Sequence, residues 1–230
     1  MCTLSIIPIT DGRRHVGLRV VINRDESASR ERAVAPRWHD VPGTRAVWPI
    51  DPVGGGTWVA GSERGVVFAL LNRNMQPGPD LPSGLVSRGT IIPAIAHATG
   101  VQHGVALLRA MNTSQFAPFR LVIAAVEDGV AVASVCSWDR RVLAMQDAGV
   151  PLCLASSGLG DCVAQARLPL FESMVRGHAT PEAQDVFHVH QWPHKPEASV
   201  MMRRPGYRTV SVTTLEVADG SVRAEYRDIL

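Results

Sequence analysis

The stretch CTLSIIPITDGRRHVGLRVVINRDE, residues 2–26, organises the reading of the whole chain. Residues 2–9 and 15–23 are apolar and rich in branched side chains, and TDGRRH separates them. Two such runs around Asp-Gly predict a β-hairpin that turns at Asp11-Gly12. The hairpin starts at Cys2 and ends in Asn23, Arg24, Asp25 and Glu26. Antiparallel pairing brings that polar end back beside Cys2. Four polar residues closing a strand make a poor core and a good site, unless they are only a solvated loop. Alternation places Asn23 and Asp25 on one face and Arg24 and Glu26 on the other.

Cys2 is the chemically important residue in this reading. A penultimate cysteine is small enough for methionine aminopeptidase to remove Met1. Cys2 would then carry both a thiol and a free α-amine with a pKa of about 8. One residue would supply nucleophile and base. The alternative is that Cys2 is only a small residue near the start. In the catalytic reading Arg24 lowers the thiol pKa and Asp25 orients the amine. Asn72 ends the apolar run GVVFALLN (65–72). There its amide either donates to an oxyanion or caps the following turn.

Outward from the hairpin, residues 24–45 read as a long irregular excursion containing Pro36 and Pro42. Strands are predicted near 46–48, 57–61 and 65–72, and a Pro/Gly loop at 74–83. Helical spacing over 84–98 and 101–112 predicts two helices joined at Gly100. Strands follow at 119–126, 129–138, 140–145 and 151–157, with Asp128-Gly129 as a second tight turn. Helices are predicted over 161–176 and 181–190, the latter with Pro181 in its first turn. Three strands, 198–203, 207–217 and 221–227, close the chain, with Asp219-Gly220 between the last two. Strands first, helices in the middle and strands again is an α+β pattern rather than regular βαβ alternation.

The totals restrict the function classes. The 230 residues are 46% hydrophobic and 19% charged, which is the composition of a folded chain, read here as a single domain over 1–230. The net charge of +2 is spread along the chain, so no nucleic-acid partner is expected. No stretch approaches the ~20 apolar residues of a membrane span. The start lacks the basic region of a secretory signal. Cys2, Cys136, Cys153 and Cys162 form no CxxC pair and read as reduced thiols of a cytoplasmic protein. His188, His190 and His194 are spaced i, i+2, i+6, which does not put three imidazoles on one helical face, so no metal site is expected.

Two short motifs remain. GGGTW (54–58) lacks the Gly-Lys-Ser/Thr of a phosphate loop. Its glycines mark a turn where the backbone comes close to something, either substrate or another part of the fold. Trp58 fits the wall of a pocket or ordinary packing. Arg88, in SRG (87–89), fits a substrate carboxylate, Asp25 or a surface ion pair.

The MCT start, NRDE, GGGTW, SRG and the tail segments HVHQW (188–192), SVMMR (199–203) and TVSVT (209–213) identify the chain as a member of the NRDE family. That family is also called the transport and Golgi organisation family. It resembles N-terminal nucleophile hydrolases of the choloylglycine hydrolase and penicillin acylase type. The resemblance implies a four-layer αββα sandwich of two mainly antiparallel sheets. It implies catalytic positions at Cys2, Arg24, Asp25 and Asn72, and substrate contacts at Asn23, Gly55, Gly56, Trp58, Arg88, Ser156 and Ser157. In those hydrolases the Arg and Asp are separated by two residues, whereas Arg24 and Asp25 are adjacent. Ser156-Ser157 stands where they have Thr-Asn, and Arg208 is the nearest counterpart of their C-terminal Arg. The expected activity is hydrolysis of a linear amide bond in a small molecule, with no cofactor. The alternative is a non-catalytic carrier of a hydrophobic ligand such as haem or an acyl compound, because family members have been linked to haem trafficking.

Overall fold

The computed structural model describes residues 2–218 and 220–229. Met1, expected to be removed, and Asp219, expected in the last tight turn, lie outside the described residues. The first hairpin forms as the sequence dictates. Strand β1 (Cys2–Asp11) pairs antiparallel with β2 (Arg14–Ser27), and Gly12 takes the left-handed conformation at the turn (φ +59°).

Strands β3 (Val34–Val41), β4 (Thr44–Ile50), β5 (Val59–Ser62), β6 (Val67–Asn72), β7 (Phe119–Glu127), β8 (Val130–Trp138) and β9 (Leu143–Gly149) form a seven-stranded meander in chain order. A second, six-stranded sheet joins the two halves of the chain. Its order is β10 (Leu152–Ser156), β1, β2, β12 (Tyr207–Ala218), with β11 (Arg203–Arg204) and β13 (Ser221–Asp228) also paired to β12. Every pairing between these strands is antiparallel.

The two-residue period of the strands decides the layers. Leu4, Ile6, Leu18, Val20 and Ile22 meet Val59, Val67, Ala69 and Val122 between the sheets. On the other face of the seven-stranded sheet, Phe68, Leu70, Leu121 and Ile123 pack against α1 (Ile91–Ile95) and α2 (Val101–Ala110). On the other face of the six-stranded sheet, Ile7 and Cys153 pack against α3 (Arg167–Phe171) and α4 (Pro181–His188) through Phe171 and Phe187. The result is the α+β, four-layer αββα sandwich. Thr180 caps α4 by accepting from the Ala183 N–H, with Pro181 at the first helical position.

Four segments differ from the sequence expectation. The helix expected over 161–176 is divided into a 3-10 turn at Asp161–Ala164, the short α3 and a π-helical turn at Glu172–Arg176. Residues 24–45 are not irregular: β2 runs on to Ser27, and β3 and β4 form a hairpin. β3 is a mostly exposed edge strand, so it lacks the apolar alternation that reveals a strand. The helix expected over 84–98 is reduced to a 3-10 turn at Arg88–Thr90 and the short α1. Of the strand expected over 198–203, only Arg203 is paired, in β11; residues 198–202 lie outside strands.

Candidate active site

The open ends of the two sheets enclose a cleft of about 280 Å³. Cys2 is set into its wall. It pairs across the sheet with Arg24 of β2 on one side and Ser156 of β10 on the other. Its backbone nitrogen donates to Ser156 Oγ at 3.1 Å. Burial pushes the Cys2 thiol up; the negative Asp25 adds to this, while Arg24 and a hydrogen bond from the Asp25 backbone oppose it. An unassisted thiolate is therefore disfavoured, and a nucleophilic Cys2 needs a base at hand.

The alternation in NRDE sorts its residues onto two faces. Arg24 points between the sheets. Its guanidinium stacks on Trp58 (4.6 Å to the ring centroid) and reaches Asp51 at 3.4 Å. Arg30 binds the same Asp51 at 2.6 Å and lies 3.8 Å from Glu26. Asp25 turns toward the outer helices while its backbone stays beside Cys2. It accepts from Thr209 Oγ1 at 2.6 Å and pairs with the fully buried Arg167 at 3.4 Å. Arg167 also donates to Thr3 Oγ1 at 2.6 Å and to the Ala198 carbonyl at 2.9 Å. Burial pushes the Asp25 carboxyl up, and Arg167 and Thr209 draw it back. Asp25 still reaches the wall of the cleft.

Asn23 does not reach the cleft. Its amide donates to the carbonyls of His188 and Val200, both at 2.9 Å, and its Oδ1 accepts from His188 Nδ1 at 2.7 Å. That fixes His188 as the Nδ1–H tautomer, so Ser5 Oγ donates to Nε2 at 2.6 Å. Gln184 in turn donates to Ser5 Oγ at 2.8 Å and accepts from Arg19 at 2.7 Å. Burial, with Arg19 and Arg167 nearby, pushes the His188 pKa down to about 3. This neutral relay fastens α4 to the sheet, and it makes Asn23 a structural residue rather than a substrate contact.

The glycines of GGGTW pack against SRG. A Cβ on Gly56 would lie 2.2 Å from the Gly89 backbone, and the Thr57 N–H donates to the Gly89 carbonyl at 3.0 Å. What the backbone approaches here is another part of the chain. Gly55 sits at the tip of the Asp51–Gly56 turn (φ +65°), outside the cleft lining. Gly56 remains on the cleft wall, and its docking onto Gly89 brings Arg88 there too. Arg88 donates to the Pro118 carbonyl at 2.8 Å and, among the described residues, has no carboxylate at ion-pair distance. Burial lowers its pKa while Cys2 and Glu26 raise it, which places both within electrostatic reach. Trp58 and Asn72, at the end of β6, line the same cleft, and Trp58 Nε1 finds no acceptor among the described residues.

Ser156 touches Cys2, but Ser157 serves the loop behind it. The Ser157 N–H donates to Asp161 at 3.1 Å and its hydroxyl accepts from the Leu159 N–H at 3.2 Å. Asp161 also takes the Asn74 N–H at 3.2 Å and Arg120 at 3.0 Å. It thereby ties the segment after Asn72 to the segment after Ser156. Sequence reading missed Asp161, Asp51 and Thr209, which carry no motif spacing of their own. It also missed Arg167, a lone arginine in an apolar helix, where its charge was the available signal. Among the described residues no group of His, Cys, Asp and Glu could hold a metal ion.

The sequence model described as Transport and Golgi organisation 2 matches residues 1–159. The chain belongs to that family. No curated protein matches it in sequence. Among solved structures, this family member resembles the Caenorhabditis elegans ortholog of N-acylethanolamine-hydrolyzing acid amidase, with a TM-score of 0.59, 12% identity and 92% of each chain covered. It also resembles a mutant conjugated bile acid hydrolase from Clostridium perfringens, with a TM-score of 0.51, 12% identity, and 100% of this chain and 97% of that chain covered. At such identities the likeness concerns the fold, which is that of N-terminal nucleophile hydrolases. In this family member the first strand lies between β10 and β2 and presents its start at the open end of the sandwich. No helix among the described residues is long and apolar enough to cross a membrane.

Proposed function

We propose that this chain is a cysteine N-terminal nucleophile amidohydrolase that acts on a linear amide bond of a small molecule. The observation that carries this reading is the setting of Cys2. It lies on the wall of a cleft shared with Arg24, Asp25, Asn72 and Arg88, and its nitrogen is held by Ser156 Oγ at 3.1 Å. Removal of Met1 turns that nitrogen into an amine. The amine takes the thiol proton, and Sγ attacks the amide carbonyl. The Asn72 amide and a backbone N–H receive the oxyanion. The tetrahedral centre collapses to a thioester as the C–N bond breaks, and the leaving amine takes the proton from the Cys2 ammonium. Water, deprotonated by the same amine, then attacks the thioester and releases the acid and the thiol.

Asp25, fixed by Thr209 and Arg167, orients the Cys2 amine, and Arg24 stabilises the thiolate. Trp58 Nε1 and Arg88 offer a substrate one neutral and one charged donor. Among the described residues, six charged ones line the cleft: Arg24, Asp25, Glu26, Arg30, Asp51 and Arg88. This lining favours a polar substrate over a hydrophobic cargo such as haem. The four unpaired thiols fit a reducing compartment, the cytoplasm, in which the chain works as a single domain.

Intact-mass and peptide-mapping mass spectrometry after treatment with an acyl-type electrophile tests the reading. The expected product lacks Met1 and is modified at Cys2. Peptide mapping is needed because Cys162 is exposed and reacts as background, whereas Cys136 and Cys153 are buried and burial pushes both thiols up, Cys136 to about 11. Retention of Met1, or an unmodified Cys2, rules the hydrolase out. Spectral titration with haem then addresses the carrier reading, which needs binding tighter than roughly 10 μM.

A further inference from the structure

Behind the Arg24 side of the cleft lies a second cavity of about 150 Å³, walled by the end of β2, the loop after it and the ends of β12 and β13. Four arginines face it: Arg24, Arg30, Arg32 and Arg208. Among the described residues, two carboxylates do, Glu31 and Asp228. Arg24 and Arg30 already share Asp51, and Asp228 accepts from the Tyr226 hydroxyl at 2.9 Å. Among the described residues, Arg32 and Arg208 have no carboxylate at ion-pair distance. Arg208 Nε is moreover buried with no acceptor among the described residues. A buried donor left unpaired costs about 1–3 kcal/mol, so a donor maintained in that state points to an acceptor from outside the chain.

The charge of the cavity fixes the class of that acceptor. Arg24 and Arg30 are already met by Asp51 and Glu26, so the positive charge open to an incoming group is that of Arg32 and Arg208, neither of which has a carboxylate at ion-pair distance among the described residues. A phosphate monoester carries about −1.5 to −2 at pH 7 and offers three acceptor oxygens, whereas a carboxylate offers two and a single charge. Guanidinium forks bind such oxygens two at a time. The space exceeds the ~30 Å³ that one water occupies by enough for a tetrahedral oxyanion with its first ester carbon. We propose that this cavity is a binding site for a phosphate monoester group of a small molecule, held by Arg208 and Arg32. Arg24 and Arg30 line both cavities, so the bound phosphate lies one arginine away from Cys2. The site does not depend on amide hydrolysis.

Isothermal titration of the full chain with inorganic phosphate at constant ionic strength tests the site. The expected result is saturable binding that weakens at least tenfold in Arg208→Gln and in Arg32→Gln, and is unchanged in Arg13→Gln. Arg32 is exposed, so its replacement leaves the fold intact even where the Arg208 variant does not. Arg13 lies at the other end of the hairpin and reports nonspecific attraction. Absence of saturable heat up to roughly 10 mM, a Kd equivalent to about −2.7 kcal/mol, overturns the proposal. Equal weakening in all three variants overturns it as well. A soluble phosphate monoester such as glycerol phosphate is expected to bind at least as well as phosphate. Binding confined to phosphatidate-containing vesicles would assign the arginines to a membrane surface and refute the small-molecule site.

Discussion

At the residue scale, Asp25 shows what the site costs the fold. A carboxyl with no solvent exposure to speak of sits beside Cys2, and its compensation comes from Arg167 on the far side of the sheet and from Thr209. Removing one member of a buried ion pair leaves an uncompensated charge. Arg167→Met is therefore expected to lower stability by about 3–5 kcal/mol. Urea unfolding followed by tryptophan fluorescence measures this. The double variant R167M/D25N is expected to recover part of the loss; equal or greater destabilisation in the double variant would contradict the pairing. Much of this scale was legible from the chain. Alternation alone placed Asn23 and Asp25 opposite Arg24 and Glu26, because a strand has a fixed period. What Asn23 touches was not legible, because His188 lies 165 residues away and only the closed sandwich brings it into contact.

At the element scale, the cleft depends on two glycine turns that press together. Gly56→Ala would place its Cβ 2.2 Å from the Gly89 backbone, where no flexible side chain can yield. A displacement costing about 1–3 kcal/mol is expected, together with movement of Arg88 and Trp58. Differential scanning calorimetry reads the first. Faster acrylamide quenching of tryptophan reads the second, and an unchanged melting profile would show that the contact is loose. The sequence signalled a close approach through GGGTW and SRG, but a glycine run does not say what it approaches. The β3–β4 hairpin was hidden for a different reason. An exposed edge strand is under no pressure to alternate, so its charged residues read as a loop. The β1–β2 hairpin was readable because both strands are buried and Asp-Gly marks the turn.

At the scale of the whole molecule, His188 joins the outer helices to the sheet as a neutral imidazole. Its pKa in the folded chain is pushed down to about 3, below the ordinary value of 6.5, so the unfolded chain binds its proton first. The stability it contributes is fully present above pH 6.5 and is lost progressively as the pH falls toward 3. Near neutral pH this group has little effect, whereas at pH 5 it is expected to cost about 2 kcal/mol relative to pH 7. Urea midpoints at the two pH values test this, and His188→Gln, which cannot titrate, is expected to flatten the dependence. The order of strands, helices and strands predicted an α+β sandwich. Which strands share a sheet was not predictable from periodicity, because β1 takes β10 and β2 takes β12 as outer partners, both from the second half of the chain. That closure has a consequence for how the protein is made. Cys2 becomes enclosed only when β10 arrives, and Ser156 is translated roughly 10–30 seconds after Cys2 at ordinary rates of synthesis. Thr209, which secures Asp25, emerges later still. The β1–β2 hairpin is thus made with its polar end open, and the partners of Cys2 and Asp25 reach it only as the second half of the chain is synthesised.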